Sequence, residues 1–256
     1  MRFTLIGFGV LALLGTSVMA LGQRETGTPS TRPAQAAAAA QKEALPTVDD
    51  IQRAVARLRG GRIPRPTTYA ALTPEQKIYV SNILSGPRGD ISGSLGVMMA
   101  SPGLGEVAQT AIAYARFAGQ AGFSSVPAKL NELAILMGAR AWGAQYAWHA
   151  HHRYAVTMGL SADVVEAVRL GKRPAAMDKD VEAVFNFVAE LLTTKQVSDA
   201  TFRNVRGVLG GDRGIVDLVG TLGLYQMVAM MMVVDQMPLP EGTAPYLRPV
   251  ATLFAR

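Results

Sequence analysis

The chain contains no cysteine among its 256 residues. It can therefore form no disulfide bond, carry no acylated lipoprotein cysteine and offer no thiolate nucleophile. Aromatic residues are scarce at 7%, and histidine, the side chain that titrates near neutral pH, occurs only three times. Apolar residues make up 49% of the chain, which is ample for a buried core. Packing alone must therefore stabilise the fold.

The basic residues do not form a pattern typical of nucleic-acid binding. Lys and Arg exceed Asp and Glu by 25 to 19, which gives a net charge of +6. Much of the excess lies in five arginines, Arg53, Arg57, Arg59, Arg62 and Arg65. No aromatic residue interleaves them before Tyr69, so a stacking platform for bases is lacking. We interpret the stretch as a solvated helix face and turn, with contact to an anionic surface as the alternative, and expect no nucleic-acid partner.

Residues 1–20 have the pattern of a secretory signal peptide. Arg2 supplies the positive end, Leu5 to Leu14 is an apolar run, and Val18-Met19-Ala20 places small residues at a cleavage site. The apolar run is too short to span a bilayer comfortably. We expect cleavage after Ala20, export to the periplasm or the medium, and no stable membrane insertion afterwards. Retention of the segment as an anchor is the alternative.

The rest of the chain predicts a linker, one helical domain and a tail. Residues 21–47 are rich in Ala, Thr, Pro, Gly and Gln, which is typical of a low-complexity linker. Residues 48–243 show helical spacing and no strand-like alternation, so the predicted fold class is all-α. Residues 244–256 form a C-terminal tail.

Local signals place the predicted helices. Thr73-Pro74-Glu75-Gln76 begins one helix, Ser85 to Gly96 is a loop, and Glu106 to Gly119 is a second helix. A third follows Ser124-Ser125-Val126-Pro127 and is interrupted at Gly143. The fourth continues to Met158 and stops at Gly159. Ser161 caps the next, an apolar stripe from Val181 to Leu192 marks another, and Ser198-Asp199 caps a further one.

The segment from Gly214 to Val234 is nearly all apolar. Its length would span a bilayer, but Asp217 and Gln226 interrupt it. We therefore expect a helix buried on all sides at the domain centre or a subunit interface. Its methionines are interpreted as core filler.

The three histidines fall in the window His149-Ala150-His151-His152. Helical spacing places His149 and His152 on one face and His151 on another, with only one of the three expected to face the core. His149 and His152 could chelate a metal, but no nearby acid completes a ligand set, so we predict no metal and no cofactor. Glu132, on the preceding predicted helix, is a carboxylate among apolar neighbours and must be paired somewhere.

These motifs together resemble the carboxymuconolactone decarboxylase and alkyl hydroperoxidase D family over roughly residues 70 to 243. The segments that carry the resemblance are Leu72-Thr73-Pro74-Glu75, Gly86-Pro87-Arg88-Gly89, Asn131-Glu132-Leu133-Ala134-Ile135-Leu136, Gly143-Ala144-Gln145-Tyr146 with Trp148 and His151, Gly159-Leu160-Ser161, Gly171-Lys172-Arg173-Pro174, Val197-Ser198-Asp199-Ala200-Thr201 and Tyr225-Gln226-Met227-Val228. The resemblance implies a helical domain that assembles as homotrimers or homohexamers.

The resemblance also implies a site. In the hydroperoxidase branch, a glutamate, two cysteines and a histidine form the catalytic site. The glutamate matches Glu132 of this chain, and the histidine matches His151. The cysteines fall on Ala144 and Ala147, so thiol-based peroxide reduction is not expected. A peroxiredoxin-like activity is a further alternative function, which only the family resemblance suggests. Many cysteine-less relatives carry a glutamate after the tyrosine, where this chain has Ala147.

The remaining pair predicts acid–base chemistry of the lyase type on a small carboxylated or lactone compound. Glu132 would orient His151, which would deliver a proton to carbon after carbon dioxide leaves. Further candidates for substrate binding are Tyr146, Trp148, His149 and Arg140, with Arg153 another possible partner for a carboxylate. Alternatively, the aromatic residues among these serve in packing and the arginines form surface or interface ion pairs. The alternative function is a non-catalytic small-molecule-binding or structural protein of this fold.

Overall fold

The computed structural model describes residues 45–254, and the predicted signal peptide and most of the predicted linker lie outside them. Within the described residues the chain forms ten α-helices and no strand, so the predicted all-α class is confirmed. The helices are α1 Val48–Ala56, α2 Pro74–Ser85, α3 Ser94–Met98, α4 Pro102–Arg116, α5 Ala128–Trp142, α6 Gln145–Thr157, α7 Ala162–Arg169, α8 Lys179–Thr194, α9 Asp199–Val208 and α10 Asp212–Asp235. A 3₁₀ turn covers Tyr69–Ala71.

Several helices begin where their sequence signals predict. Thr73 accepts a hydrogen bond from the backbone N–H of Gln76 at 3.2 Å, and the Gln76 side chain accepts one from the backbone N–H of Thr73 at 3.0 Å. This reciprocal capping box satisfies two N–H groups that a helix start would otherwise leave unpaired. Ser161 and Ser198 cap α7 and α9 through their hydroxyls alone, which accept from the backbone N–H groups of Val164 and Thr201.

Two predicted boundaries were wrong. The predicted loop from Ser85 to Gly96 ends early because α3 begins at Ser94. The helix predicted from Glu106 to Gly119 instead runs from Pro102 to Arg116. Its start follows from Pro102, whose fixed φ suits the first helical turn and whose missing N–H costs nothing there.

Within the described chain the helix that is buried on all sides is α5, whereas α10 is only partly buried; burial of α10 at a subunit interface stays a prediction. Every residue of α5 from Leu130 to Arg140 is buried, and the helix packs against α6, α7, α8 and α10. By contrast, α10 exposes Val216, Val219 and Val234 to the extent of 68%, 42% and 63%. The 24 residues of α10 are long and apolar enough to cross a membrane, and 44% of their most apolar window is buried within the described chain.

The buried polar residues Asn131 and Glu132 on α5 are hydrogen-bonded, as buried polar groups usually are, whereas Arg140 Nε is buried without a partner. Asn131 donates to the carbonyl of Ala115 at 3.0 Å and accepts from the Thr221 hydroxyl at 2.9 Å. These two bonds tie α5 to the end of α4 and to α10, two of the helices that line the cavity described below.

The residues 244–254 pack along the domain. Leu247 and Phe254 are buried in the same core cluster as α5 and α8. Gln145 accepts from the backbone N–H groups of Tyr246 and Leu247 and donates to the carbonyl of Leu247. The start of α6 therefore holds this C-terminal segment through one side chain.

One arginine of the basic stretch departs from the predicted solvated face. Arg65 has a side chain that is only 2% exposed and forms an ion pair with Asp235, which is fully buried at the end of α10. The other four arginines of the stretch are exposed, as predicted. Asp235 attracts Arg65 inward because a buried carboxylate requires a partner.

Candidate functional site

A tight turn between α5 and α6 brings Glu132 and His151 together. Gly143 ends α5 in the left-handed region at φ +62°, a conformation that glycine adopts without steric cost. The chain then reverses, and α6 begins at Gln145 and packs against α5. His151 Nδ1 lies 2.8 Å from Glu132 Oε2, and the two residues are 5% and 1% exposed. The two side chains meet across the α5–α6 seam, as the sequence predicts.

The pairing determines which imidazole nitrogen remains for chemistry. A carboxylate accepts hydrogen bonds, so His151 Nδ1 donates its proton to Glu132. This contact fixes the tautomer and ring orientation, in the way a carboxylate orients a histidine in other acid–base sites. Nε2 is then the nitrogen left to exchange a proton with a bound molecule.

His151 forms part of the wall of a cavity of about 350 Å³. The cavity lies among the 87–93 loop, α3, α4, α6 and α10. Its lining comprises Pro87, Arg88, Asp90, Ser92, Gly93, Ser94, Ile112, Arg116, Phe117, Tyr146, Ala147, Ala150, His151, Tyr225, Val228 and Met232. Glu132 lies behind His151, one helix further from the cavity.

Two arginines, Arg88 and Arg116, face this cavity. The Arg88 guanidinium donates to the backbone carbonyls of Asp90 at 3.3 Å and Ser92 at 3.4 Å. Arg116 lies over the ring of Tyr154 at 5.8 Å. Across residues 45–254 neither arginine forms an ion pair with a carboxylate. Burial, and then the neighbouring charge of Arg116, lowers the pKa of Arg88, yet a guanidinium stays protonated at neutral pH. Asp90 is the one carboxylate among the residues that line the cavity, so the two arginines give it an excess of positive charge.

Sequence reasoning missed both arginines as site residues. Arg88 lies in Gly86-Pro87-Arg88-Gly89, a segment that carries the family resemblance, but no local pattern indicates that its side chain turns inward. Arg116 ends α4, and helical spacing alone does not relate it to His151. Only the packing of α4 and the 87–93 loop against α6 and α10 reveals the pair.

Tyr146 lines the cavity as a predicted substrate-binding residue should. Gly93 has φ +69°, and a Cβ atom there would lie 3.6 Å from Tyr146 Cε1 and 4.0 Å from Arg88 Nη2. The Tyr146 ring and the Arg88 guanidinium therefore converge on the same glycine. Burial, and then the charge of Asp90, raises the pKa of the Tyr146 hydroxyl, so Tyr146 is a neutral hydrogen-bonding group at physiological pH.

The other three predicted substrate-binding residues lie away from the cavity. Trp148 is fully buried, and its ring is parallel to that of His152 with centroids 6.5 Å apart. His149 Nδ1 lies 3.0 Å from the Tyr246 hydroxyl. Arg140 donates from Nη2 to the carbonyl of Arg248 at 2.7 Å. These residues face α7 or the C-terminal segment, because they occupy other sides of α5 and α6 than Glu132 and His151.

His149 and His152 lie together, as their spacing predicts, with ring centroids 6.3 Å apart. Burial, and then the positive charges of His152 and Arg153, lowers the pKa of His149. Within the described part of the chain, no group of three or more His, Asp or Glu side chains is arranged to hold a metal ion.

A scan against protein-family models gave no match for this chain. A search of the curated proteins gave no significant match either.

Proposed function

We propose that this protein is an acid–base enzyme of the lyase type that acts on a small carboxylated or lactone compound. One observation carries the proposal: a buried carboxylate–imidazole pair, Glu132 and His151, stands at the wall of a cavity that also contains two arginines without carboxylate partners. A paired imidazole exchanges protons, and unpaired guanidinium groups bind carboxylate and carbonyl oxygens.

As part of this proposal, the chain has the fold of the carboxymuconolactone decarboxylase and alkyl hydroperoxidase D family. Its support is the set of sequence segments that resemble the family, together with the all-helical chain in which the matching Glu132 and His151 are in contact. With the fold, we propose the family's assembly as a homotrimer or homohexamer, and export to the periplasm or the medium.

The proposed step is decarboxylation followed by protonation of carbon. The bond from carbon to the departing carboxylate breaks, its electron pair conjugates with the lactone carbonyl, and carbon dioxide leaves. His151, which takes up a second proton at Nε2 from solvent when the substrate binds, then transfers that Nε2 proton to carbon, and Glu132 holds the neutral ring that remains. Solvent returns the proton to Nε2. A positioned acid of this kind contributes roughly 10²–10⁴-fold to a rate.

Arg88 and Arg116 supply the positive charge that such a step requires. One guanidinium binds a carboxylate that the product retains, and the other stabilises negative charge developing on the lactone oxygen. In a cavity partly shielded from water these charges act more strongly than in solution. Neither arginine forms an ion pair with a carboxylate of the described chain, although the charge of Asp90 acts on Arg88, so both guanidinium groups remain to interact with a ligand.

A second candidate function is non-catalytic binding of the same class of compound. Ala147 favours it, because this residue lines the cavity where many cysteine-less relatives carry a glutamate. The cavity would then bind an anion without a complete set of acid–base groups.

The deciding experiment is incubation of the purified protein with 4-carboxymuconolactone in D₂O. Enzymatic turnover releases carbon dioxide and places one deuterium on carbon, as NMR would show. Saturable binding without either product would favour the second candidate.

We predict no thiol-dependent peroxidase activity. Ala144 and Ala147 occupy the positions of the two cysteines in the hydroperoxidase branch, and the chain offers no other thiol. Peroxide reduction by that route needs a thiolate. An assay of alkyl hydroperoxide consumption with a dithiol donor should match the rate without protein. Consumption that rises in proportion to the protein concentration would contradict this prediction.

We expect the apolar outer face of α10 to be covered by a second copy of the chain. Val216, Val219 and Val234 are exposed on it, and Gly220 and Gly223 leave open space where side chains would stand. Such small residues permit close contact between helices. Sedimentation of the purified protein should show a trimer or hexamer, and V234D should dissociate it.

The matched control for V234D is V107D, since Val107 is 73% exposed on α4, outside this face. This variant should sediment like the wild type. A wild-type protein that remains monomeric at micromolar concentration would contradict the oligomer.

A further inference from the structure

The hydroxyl of Tyr225 is an unusual feature of the cavity wall. Tyr225 is 4% exposed, and its oxygen is buried without a well-formed hydrogen bond to the described protein. A buried polar group without a partner costs stability, and such groups are rare in folded proteins. The residue lines the same cavity as His151, and its ring meets the His151 ring edge-on with centroids 5.1 Å apart.

The neighbours of this hydroxyl explain why its proton has no acceptor. The Arg116 guanidinium is near enough to donate toward the Tyr225 oxygen, which opposes the rise in the Tyr225 pKa, but an arginine offers no acceptor for the hydroxyl proton. The Glu132 carboxylate also acts on Tyr225 through its charge, but no hydrogen bond joins the two side chains. Burial raises the pKa of Tyr225, so the hydroxyl keeps its proton at physiological pH.

We infer that Tyr225 donates a hydrogen bond to the carbonyl oxygen of the bound compound, beside His151 and together with the cation of Arg116. This inference rests on the proposed function, because it assigns the group that binds the lactone carbonyl. A neutral donor next to a guanidinium suits an oxygen that gains negative charge during the reaction, since both groups are oriented before the charge develops.

The test compares two stable probes that differ only at the carbonyl group. The first is 5-oxotetrahydrofuran-2-carboxylate, a saturated lactone acid, and the second is tetrahydrofuran-2-carboxylate, which lacks the carbonyl. Calorimetric titration of the full chain should show that Y225F weakens binding of the first probe by roughly tenfold, the value of one good hydrogen bond to a polarised oxygen. The same variant should leave the affinity for the second probe unchanged.

Thermal unfolding of the ligand-free protein gives the matched control. Tyr79 is also fully buried, but its hydroxyl donates to the carbonyl of Leu95 at 3.0 Å. Y79F should therefore lower Tm by about 2–4 °C, whereas Y225F should leave Tm unchanged or raise it. If Y225F instead lowers Tm as Y79F does, the hydroxyl has a partner in the protein and the inference is overturned.

The outcomes separate this inference from the proposed function. If the wild type binds the lactone acid and Y225F binds both probes as the wild type does, Tyr225 does not contact the carbonyl and only this inference fails. If the wild type binds neither probe, the proposed substrate class fails and the assignment of Tyr225 fails with it. If Y225F loses affinity only for the probe that carries the carbonyl, the result supports both this inference and the proposed function.

Discussion

Replacing Asp235 with alanine is expected to lower the free energy of unfolding by about 3–5 kcal/mol, because it leaves the charge of Arg65 buried without a partner. The side chains of Arg65 and Asp235 are 2% and 0% exposed. Asp235 also accepts from the backbone N–H of Ile63 at 2.9 Å, so the substitution also removes the acceptor for that group. The segment before α2 would keep only the backbone hydrogen bond from Arg62 N–H to the Asp235 carbonyl as its attachment to residue 235.

Thermal or urea unfolding would measure this effect, with a Tm decrease of roughly 6–20 °C for a domain of this size. The control is D212A at the opposite end of α10, where Asp212 pairs with Arg206 and their side chains are 74% and 50% exposed. That exposed pair should contribute little to stability, because water and salt screen its charges. The double variant R65M/D235L should recover much of the loss, because apolar side chains can replace a buried pair. Equal effects of D235A and D212A would contradict the account of this contact.

The largest effect on activity is expected at the acid–base pair. H151A and E132Q should each reduce turnover of 4-carboxymuconolactone by roughly 10²–10⁴-fold, since the first removes the proton donor and the second its orienting carboxylate. Their losses should not add in the double variant, because each group requires the other. Carbon dioxide release in steady state would measure all three.

The matched control is H152A on the same helix. His152 lies near the backbone carbonyls of Trp148 and His149 and faces α7, not the cavity. Turnover by H152A should stay close to that of the wild type. An H151A variant with full activity would end the assignment, and an equal loss in H152A would indicate a general effect on the fold.

Much of the fold could be predicted from local signals. The caps at Thr73, Ser161 and Ser198 act within one helical turn, and Gly143 ends α5 through its own backbone conformation. Such features depend on neighbouring residues only. For the same reason the sequence could place Glu132 and His151 on adjoining helices, because the short turn at Gly143 leaves the two helices few other arrangements.

The errors involve contacts between segments that are distant in sequence. Burial of Arg65 depends on Asp235, which follows it by 170 residues. The composition of α10 predicted burial at the domain centre or at a subunit interface, and this chain alone leaves its apolar outer face uncovered. Arg88, Arg116 and Tyr225 come together from a loop and two helices, so no local pattern could identify them. Arg140, Trp148 and His149 lie near the pair in sequence, yet helical geometry turns them to other sides.

The central claim is that Glu132 orients His151 so that Nε2 exchanges a proton with a bound carboxylated compound. Long-range ¹H–¹⁵N NMR of the three histidines, with and without 5-oxotetrahydrofuran-2-carboxylate, tests it most directly. We predict that His151 carries its proton on Nδ1 in the free protein, that the probe shifts the Nε2 signal of His151, and that E132Q abolishes the Nδ1 preference. A His151 ring that is unaffected by saturating probe, while His149 or His152 responds, would contradict the account.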